Sequence, residues 1–342
     1  MRFEGQIHLN LSENPYGVSD KVLNQLKSSI WQINYYPDSA CKEMVERLSV
    51  KYGIGADEIF FGNGIDEIIL SIFVGLQIMQ SKVIVSEKTF PGYKICSNLL
   101  SNETIETALI NKRIHITAIE ALLDQSIKAV FICNPHNPFG TILNVDDMMR
   151  LIDTCDREGI YIIIDEAYFD FISDSSYTDW VGYINRYKHL IVLKTYSKAY
   201  GLAGIRCGYA CANGQIIEKL MKVKAGLPFS VNRIAEKAVI AVMDDQEYIH
   251  SIVKKNTEVR KWFMDELEQM NCKFVRSDTN FVSIYHGEAE KVVSDLRDKF
   301  DILVKNLSAM GIHDYFRVTI GTREQMEVFL DAYKQIVSIT LP

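Results

Sequence analysis

Two apolar stretches of this chain run into groups that a buried strand does not need. Tyr161-Ile-Ile-Ile leads directly to Asp165-Glu-Ala-Tyr168. Leu190-Ile-Val-Leu193 leads to Lys-Thr195-Tyr-Ser197-Lys198-Ala-Tyr-Gly201-Leu-Ala-Gly204-Ile-Arg206. A carboxylate at the C-terminal end of a buried strand stands where open α/β sheets place their ligands. The second cluster joins two hydroxyls to a guanidinium, whose planar fork of donors suits a phosphate. A lysine set among them, with apolar neighbours on both sides, has the chemistry of an amine nucleophile toward an aldehyde. Structural readings exist for both segments: helix capping for Asp165, a solvated basic loop for the lysine.

Two further segments follow the same plan. Phe60-Phe-Gly62-Asn-Gly64-Ile65-Asp66-Glu67 is a glycine turn opening a helix predicted over 68–79, and N–H groups at a helix start form an anion site. It lacks the third glycine of GxGxxG and the Lys-Ser/Thr of a P-loop, so a tight turn with a cap explains it equally well. Cys133-Asn-Pro-His136-Asn137-Pro-Phe139-Gly140 comes straight after another strand-like run. Asn137 there is either turn chemistry or, by its strand-end position, a counterpart of Asp165.

The elements that must hold these groups read from the apolar pattern. Runs 82–85, 128–133, 161–164 and 190–193 are short and rich in β-branched residues, like strands buried on both faces of a mainly parallel sheet. Helical patterns lie between them, such as 146–158 opened by Asn144 as a cap. This alternation predicts an α/β fold with helices on both faces of the sheet. A helical region over 230–270 breaks near Asp244-Asp245. The remainder, 273–341, reads as strand, strand, helix, strand, strand, helix, a smaller α+β unit. The expected division is a large unit over 30–245 and a small one combining 1–29 with 246–342.

Composition narrows the function. The 342 residues are 48% hydrophobic and 24% charged, with a formal charge of −7. That is globular and offers no basic footprint for nucleic acid. The longest nearly apolar run, 68–79, is too short for a membrane span. No signal peptide is visible at the N-terminus. Seven scattered cysteines form no CxxC pair, so no metal site is expected; the reading is a soluble protein of a reducing cytoplasm.

In this order and spacing, the four segments resemble fold-type I pyridoxal 5′-phosphate (PLP) enzymes, the class I/II aminotransferases, and more narrowly the histidinol-phosphate aminotransferases of histidine biosynthesis. The resemblance extends to Asn10-Leu-Ser-Glu-Asn14-Pro-Tyr16-Gly, Tyr36-Pro-Asp38 and Phe316-Arg317-Val-Thr-Ile-Gly321-Thr-Arg-Glu324, nearly end to end. It implies a large domain with a mainly parallel central sheet plus a smaller α+β domain. It also implies that Lys198 binds PLP covalently and serves as acid and base, while Asp165 pairs with the pyridine N–H. Tyr168 and Asn137 would bond the ring's 3′ oxygen. Thr195, Ser197, Arg206 and the backbone N–H groups of Gly64, Ile65 and Asp66 would hold the phosphate. Phe90 would stack on the ring, although its neighbours alone read as core. Tyr36 would reach the phosphate of a neighbouring subunit, implying a homodimer with shared active sites.

On the substrate side, Arg317 resembles the arginine that grips the carboxylate of glutamate or 2-oxoglutarate. Asn14 and Tyr16 would line the same side. The histidinol-phosphate enzymes carry a second arginine upstream, aimed at the substrate phosphate, where this chain has Lys305; lysine binds phosphate as a point charge without the fork. Phe139 stands where threonine is usual and His136 where asparagine is common. Alternatives on the same scaffold are an aminotransferase for another amino acid or amino-phosphate, and a threonine-phosphate decarboxylase-like lyase, to which Leu227-Pro-Phe-Ser-Val-Asn232 bears some likeness.

Overall fold

The structure, a computed structural model, describes residues 5–340. Its strands are β1 (Ile7–Leu9), β2 (Ile59–Gly62), β3 (Lys82–Ser86), β4 (Glu103–Thr107), β5 (Leu109–Ile110), β6 (Arg113–Ile114), β7 (Ile127–Cys133), β8 (Tyr161–Asp165), β9 (Leu190–Thr195), β10 (Gly208–Ala212), β11 (Phe274–Val275), β12 (Phe281–Tyr285), β13 (Ile302–Asn306) and β14 (Tyr315–Thr319). The helices are α1 (Asp20–Ser29), α2 (Lys42–Tyr52), α3 (Gly64–Gly75), α4 (Pro91–Leu99), α5 (Ile116–Glu120), α6 (Val145–Glu158), α7 (Gly214–Lys224), α8 (Arg233–Met243), α9 (Gln246–Gln269), α10 (Ala289–Phe300) and α11 (Arg323–Thr340).

Seven strands form one sheet in the order β2-β10-β9-β8-β7-β3-β4. The run from β9 to β4 is parallel, and β10 is antiparallel to both of its neighbours. Alternate side chains of a strand face opposite sides, and here both sides are apolar. Val130, Ile162 and Val192 join one core cluster, while Phe131, Ile163 and Ile191 join another across the sheet. Burial on both faces is why β7 and β8 read as unbroken apolar runs. A second sheet, β1-β13-β14-β12-β11, is antiparallel except for β1 beside β13. It packs Val282, Val318 and Phe316 against Phe263, Phe329 and Tyr333. Residues 5–29 serve both sheets, since β1 joins the smaller one and Val22 of α1 enters the core of the larger.

Local chemistry accounts for the helix limits. The Asn144 side chain accepts from Asp147 N at 2.7 Å to open α6, and Gly159 closes it in the left-handed region at φ 70°. Asp244-Asp245 separates α8 from α9, where the break was expected. The helix expected over 68–79 is displaced: α3 begins at Gly64, whose φ of +78° makes the turn, and ends at Gly75. Gly75 lies against the backbone of Lys219 in α7, and Gln77 leaves the helix at φ 55°. Among the described residues, no helix is long and apolar enough to cross a membrane.

Candidate active site

Parallel pairing brings three strand ends level, with Cys133 opposite Asp165 and Asp165 opposite Leu193. Asp165 is 4% exposed. Its Oδ2 accepts from the Tyr93 hydroxyl at 2.5 Å and its Oδ1 from Ala167 N at 3.0 Å. Burial outweighs these two bonds and pushes the carboxyl up to about 6. Tyr93, one turn into α4, stacks on Phe131 with centroids 5.2 Å apart and meets Phe90 edge-on at 5.4 Å. Sequence reasoning gave Tyr93 no role. The available signal was a tyrosine in an apolar setting, whose hydroxyl needs a partner when buried.

The Lys198 amine donates to the Leu11 carbonyl at 3.0 Å and lies 5.6 Å from the Tyr168 ring centroid. Burial first, and the Arg317 guanidinium second, push its ammonium down to about 8. The N-terminal segment is fastened to this loop, since Asn14 Nδ2 donates to Ala199 O at 2.9 Å. Gly201 adopts φ +70°, and a Cβ there would lie 2.6 Å from the Gly17 carbonyl. Only glycine allows both the turn and that approach.

Beside the lysine is an anion cradle. Ser197 N donates to Thr195 Oγ1 at 3.0 Å, and Arg206 Nη1 donates to Ser197 Oγ at 3.4 Å. Arg206 Nη2 donates to Asp66 Oδ2 at 2.9 Å, which brings the guanidinium onto the first turn of α3. A Cβ on Gly64 would stand 2.5 Å from the same Nη2. No side chain caps α3, so the first-turn N–H groups of Gly64, Ile65 and Asp66 suit an anion.

The smaller sheet contributes from mid-strand. Arg317 lies opposite Ser283 and Lys305, and directly opposed residues share a face. Arg317 Nη1 donates to Asn137 Oδ1 at 2.5 Å, Nη2 donates to Asn10 O at 3.3 Å, and the guanidinium sits 4.6 Å over the Phe281 ring. Burial lowers its pKa. The Tyr168 ring meets the edge of Phe281 at 5.1 Å, and burial raises its hydroxyl. The turn carrying Asn137 has cis bonds at Asn134-Pro135 and Asn137-Pro138. In it Phe139 stacks on His136 at 5.8 Å, and burial drives the imidazole down to about 3.

Asp165, Lys198, Arg206, Arg317, Asn137, Tyr168 and Asn14 are thus drawn into one neighbourhood. Tyr36 stands apart from it, 75% exposed, its ring stacked on Phe229 at 4.5 Å. The Tyr16 ring faces the Lys255 ammonium at 5.5 Å while its N–H donates to Asn14 Oδ1. Lys305 is half-buried.

The donor set suits a phosphorylated pyridine aldehyde. A buried carboxylate can face a ring N–H, an amine brought near neutrality can bond the aldehyde, and a guanidinium, two hydroxyls and a helix start can hold the phosphate. A family model, Aminotransferase class I and II, matches residues 4–332. The histidinol-phosphate aminotransferase of Caldicellulosiruptor saccharolyticus is 34% identical, over 98% of this chain and 92% of its own. That of Bacillus licheniformis is 32% identical, over 95% and 89%. The crystal structure of the histidinol-phosphate aminotransferase from Clostridium acetobutylicum superposes with a TM-score of 0.87 at 26% identity, covering 96% of this chain and 98% of that one. Matched over nearly its whole length, this chain belongs to the class I and II aminotransferases and is a PLP-dependent enzyme.

Proposed function

We propose that the enzyme moves the amino group of histidinol phosphate to 2-oxoglutarate. The observation that carries this reading is the pairing of Lys305 with Arg317 across β13 and β14, two cations on one face. One serves a substrate phosphate and the other an α-carboxylate. Curated relatives at 30–34% identity over nearly the full chain, all histidinol-phosphate aminotransferases, support the same substrate.

When bound, PLP supplies an aldehyde that links to amines and a cationic ring that draws electrons from the substrate Cα. Asp165 keeps the ring nitrogen protonated, which requires its carboxyl to ionise. Lys198 Nζ, close to neutrality, takes the Cα proton and later returns one. Tyr168 and Asn137 would hold the ring oxygen, Asn137 by its amide nitrogen since its Oδ1 faces Arg317. Phe90 would cover a ring face. Arg206, Ser197, Thr195 and the start of α3 would anchor the phosphate, while Asn14 and Tyr16 would shape the substrate side.

The reading includes a homodimer. Tyr36 shares a surface hollow with exposed Ile33, Tyr35 and Phe229, an apolar surface of the kind a partner covers, and from it Tyr36 would reach the other subunit's phosphate. The division near residues 30 and 245, and a cytoplasmic location in keeping with seven unpaired thiols, belong to the same proposal.

The test is the visible spectrum of the PLP-loaded protein. The expected result is loss of the visible band with histidinol phosphate and its return with 2-oxoglutarate. Release of carbon dioxide from O-phosphothreonine, with no response to histidinol phosphate, would assign the chain to the decarboxylases instead.

A further inference from the structure

Behind the site, on the opposite face of the large sheet, lies a buried polar chain that the proposed chemistry leaves unused. In β9, Leu193 faces the core cluster shared with Tyr93, so Lys194 points to the other side and Thr195 back again. Lys194 Nζ is 2.8 Å from Glu166 Oε2 and 3.2 Å from Asp179 Oδ1. It sits 3.4 Å over the Phe169 ring centroid. The Tyr177 hydroxyl donates to Glu166 Oε1 at 3.1 Å and accepts from Asn134 Nδ2 at 2.9 Å. Asn134 Oδ1 in turn accepts from Leu143 N at 3.0 Å, closing the turn that carries Asn137.

Three of these residues are chain neighbours of strand ends, and Tyr177 bridges two of them. Asn134 follows β7, Glu166 follows Asp165 at the end of β8, and Lys194 precedes Thr195 at the end of β9. Main-chain bonds tie the same three ends, from Asn134 N to Asp165 O at 3.0 Å and from Glu166 N to Leu193 O at 2.9 Å. Burying an ammonium and a carboxylate costs several kcal/mol of desolvation, and a well-packed apolar pair is often as stable or more so. Stability alone therefore gives little reason for an ion pair here. Geometry gives one. An ion pair and two directional hydrogen bonds hold the three strand ends to one mutual offset, because each bond weakens away from its distance and angle, whereas apolar packing is non-directional.

We propose that Lys194, Glu166, Tyr177 and Asn134 form a positioning network that sets the relative placement of Asn137, Asp165 and the Thr195–Lys198 loop around the cofactor. The proposal rests on those residues being the PLP site, as read above. None of the four is among the residues assigned above to the cofactor. Lys194 and Glu166 act through the residues next to them in the chain, Asn134 through the Asn134–Gly140 turn that carries Asn137, and Tyr177 by joining Asn134 to Glu166.

The test uses the PLP-loaded protein and two independent disruptions. Tyr177→Phe removes the hydroxyl's bonds to Glu166 and Asn134 without opening a cavity, and Lys194→Met with Glu166→Leu replaces the ion pair by apolar groups of similar size. The readouts are the pH midpoint of the visible band, the PLP dissociation constant and the apo melting temperature. The expected result is a midpoint displaced by about half a pH unit or more and PLP bound about tenfold more weakly, with the apo melting temperature lowered by no more than several degrees, since Glu166 Oε1 and Asn134 Nδ2 lose a partner in Tyr177→Phe. Lys194→Arg, which keeps the ion pair, returns both cofactor readouts toward wild type. A Tyr177→Phe protein with the wild-type midpoint and affinity overturns the proposal, whether or not the double variant folds. Lys198→Ala checks the underlying site separately: if it kept the visible band, the site reading itself would fall.

Discussion

The two sheets deliver chemistry in different ways. The seven-stranded sheet presents Asp165, Asn137 and the Thr195–Lys198 loop just where parallel strands stop, so each functional group is contiguous in sequence with the strand that carries it. The five-stranded sheet presents Arg317 and Lys305 from the middle of antiparallel strands, joined only by register. A strand end can change its loop without disturbing the core, whereas a mid-strand side chain is tied to the pleat and its cross-strand neighbours. On the proposed reading, cofactor chemistry belongs to the first arrangement and substrate selection to the second. Substitutions can separate them.

The largest effect is expected from Lys198→Ala, a fall in kcat of about 10⁴-fold with loss of the visible band. Asp165→Asn should follow with a loss of roughly 10²–10³-fold, and with an opposite effect on the apo protein. Folding raises this carboxyl from 3.8 to about 6, so its stabilising contribution is complete below pH 4 and is lost as pH rises through 6. A neutral asparagine escapes that loss. Apo Asp165→Asn should therefore melt higher than wild type at pH 7.5, by at most about 3 kcal/mol, and the gap should close near pH 4.

Arg317→Lys should raise the KM for 2-oxoglutarate about 10- to 100-fold while weakening PLP binding by only about twofold, through the lost bond to Asn137. If PLP affinity fell as steeply as the KM rose, the separation between the sheets would be wrong. The rate of PLP uptake by apo protein should rise about tenfold from pH 7 to pH 9 and then level off, because the neutral Lys198 amine, with its pKa near 8, is the reacting form. The smallest effect is expected from Lys305→Ala, about fivefold in KM for histidinol phosphate and none for 2-oxoglutarate, as befits a half-exposed point charge.

The same contrast explains what could be read before the fold was known. Apolar runs ending in Asp165, Thr195 and Cys133 announce both strand and site, because the signal is local. The order of elements after residue 273 was also legible, since β11, β12, α10, β13, β14 and α11 each carry their own period. Pairing was not. Nothing local says that Lys305 faces Arg317, that Tyr93 reaches Asp165 across 72 residues, or that Asp66 meets Arg206 across 140. The Lys194–Glu166 contact was hidden for a further reason: each residue sits beside one with a more conspicuous role. Helix limits failed where a neighbour intervened, as at Gly75 against α7.

α9 joins the two arrangements mechanically. At 1.5 Å per residue its 24 residues make a rod about 36 Å long, with Ile249 in the core of the larger sheet and Phe263 and Leu267 in that of the smaller. Arg260, 2% exposed, fastens it part-way along, donating to Phe171 O at 3.0 Å on the loop beyond Asp165 and to Thr279 O at 2.6 Å ahead of β12. One turn earlier, Asn256 is buried with its Oδ1 unpartnered among the described residues. The helix is therefore a lever with its fulcrum at Arg260 and one unsatisfied tooth beside it. A tilt of about 5° there swings the Gln246 end by about 2 Å, more than the ångström on which reactive alignment turns. A single guanidinium thus pins the middle of this rod to the loop beyond Asp165 and to Thr279 ahead of β12, the one place among the described residues where the helix is hydrogen-bonded to both.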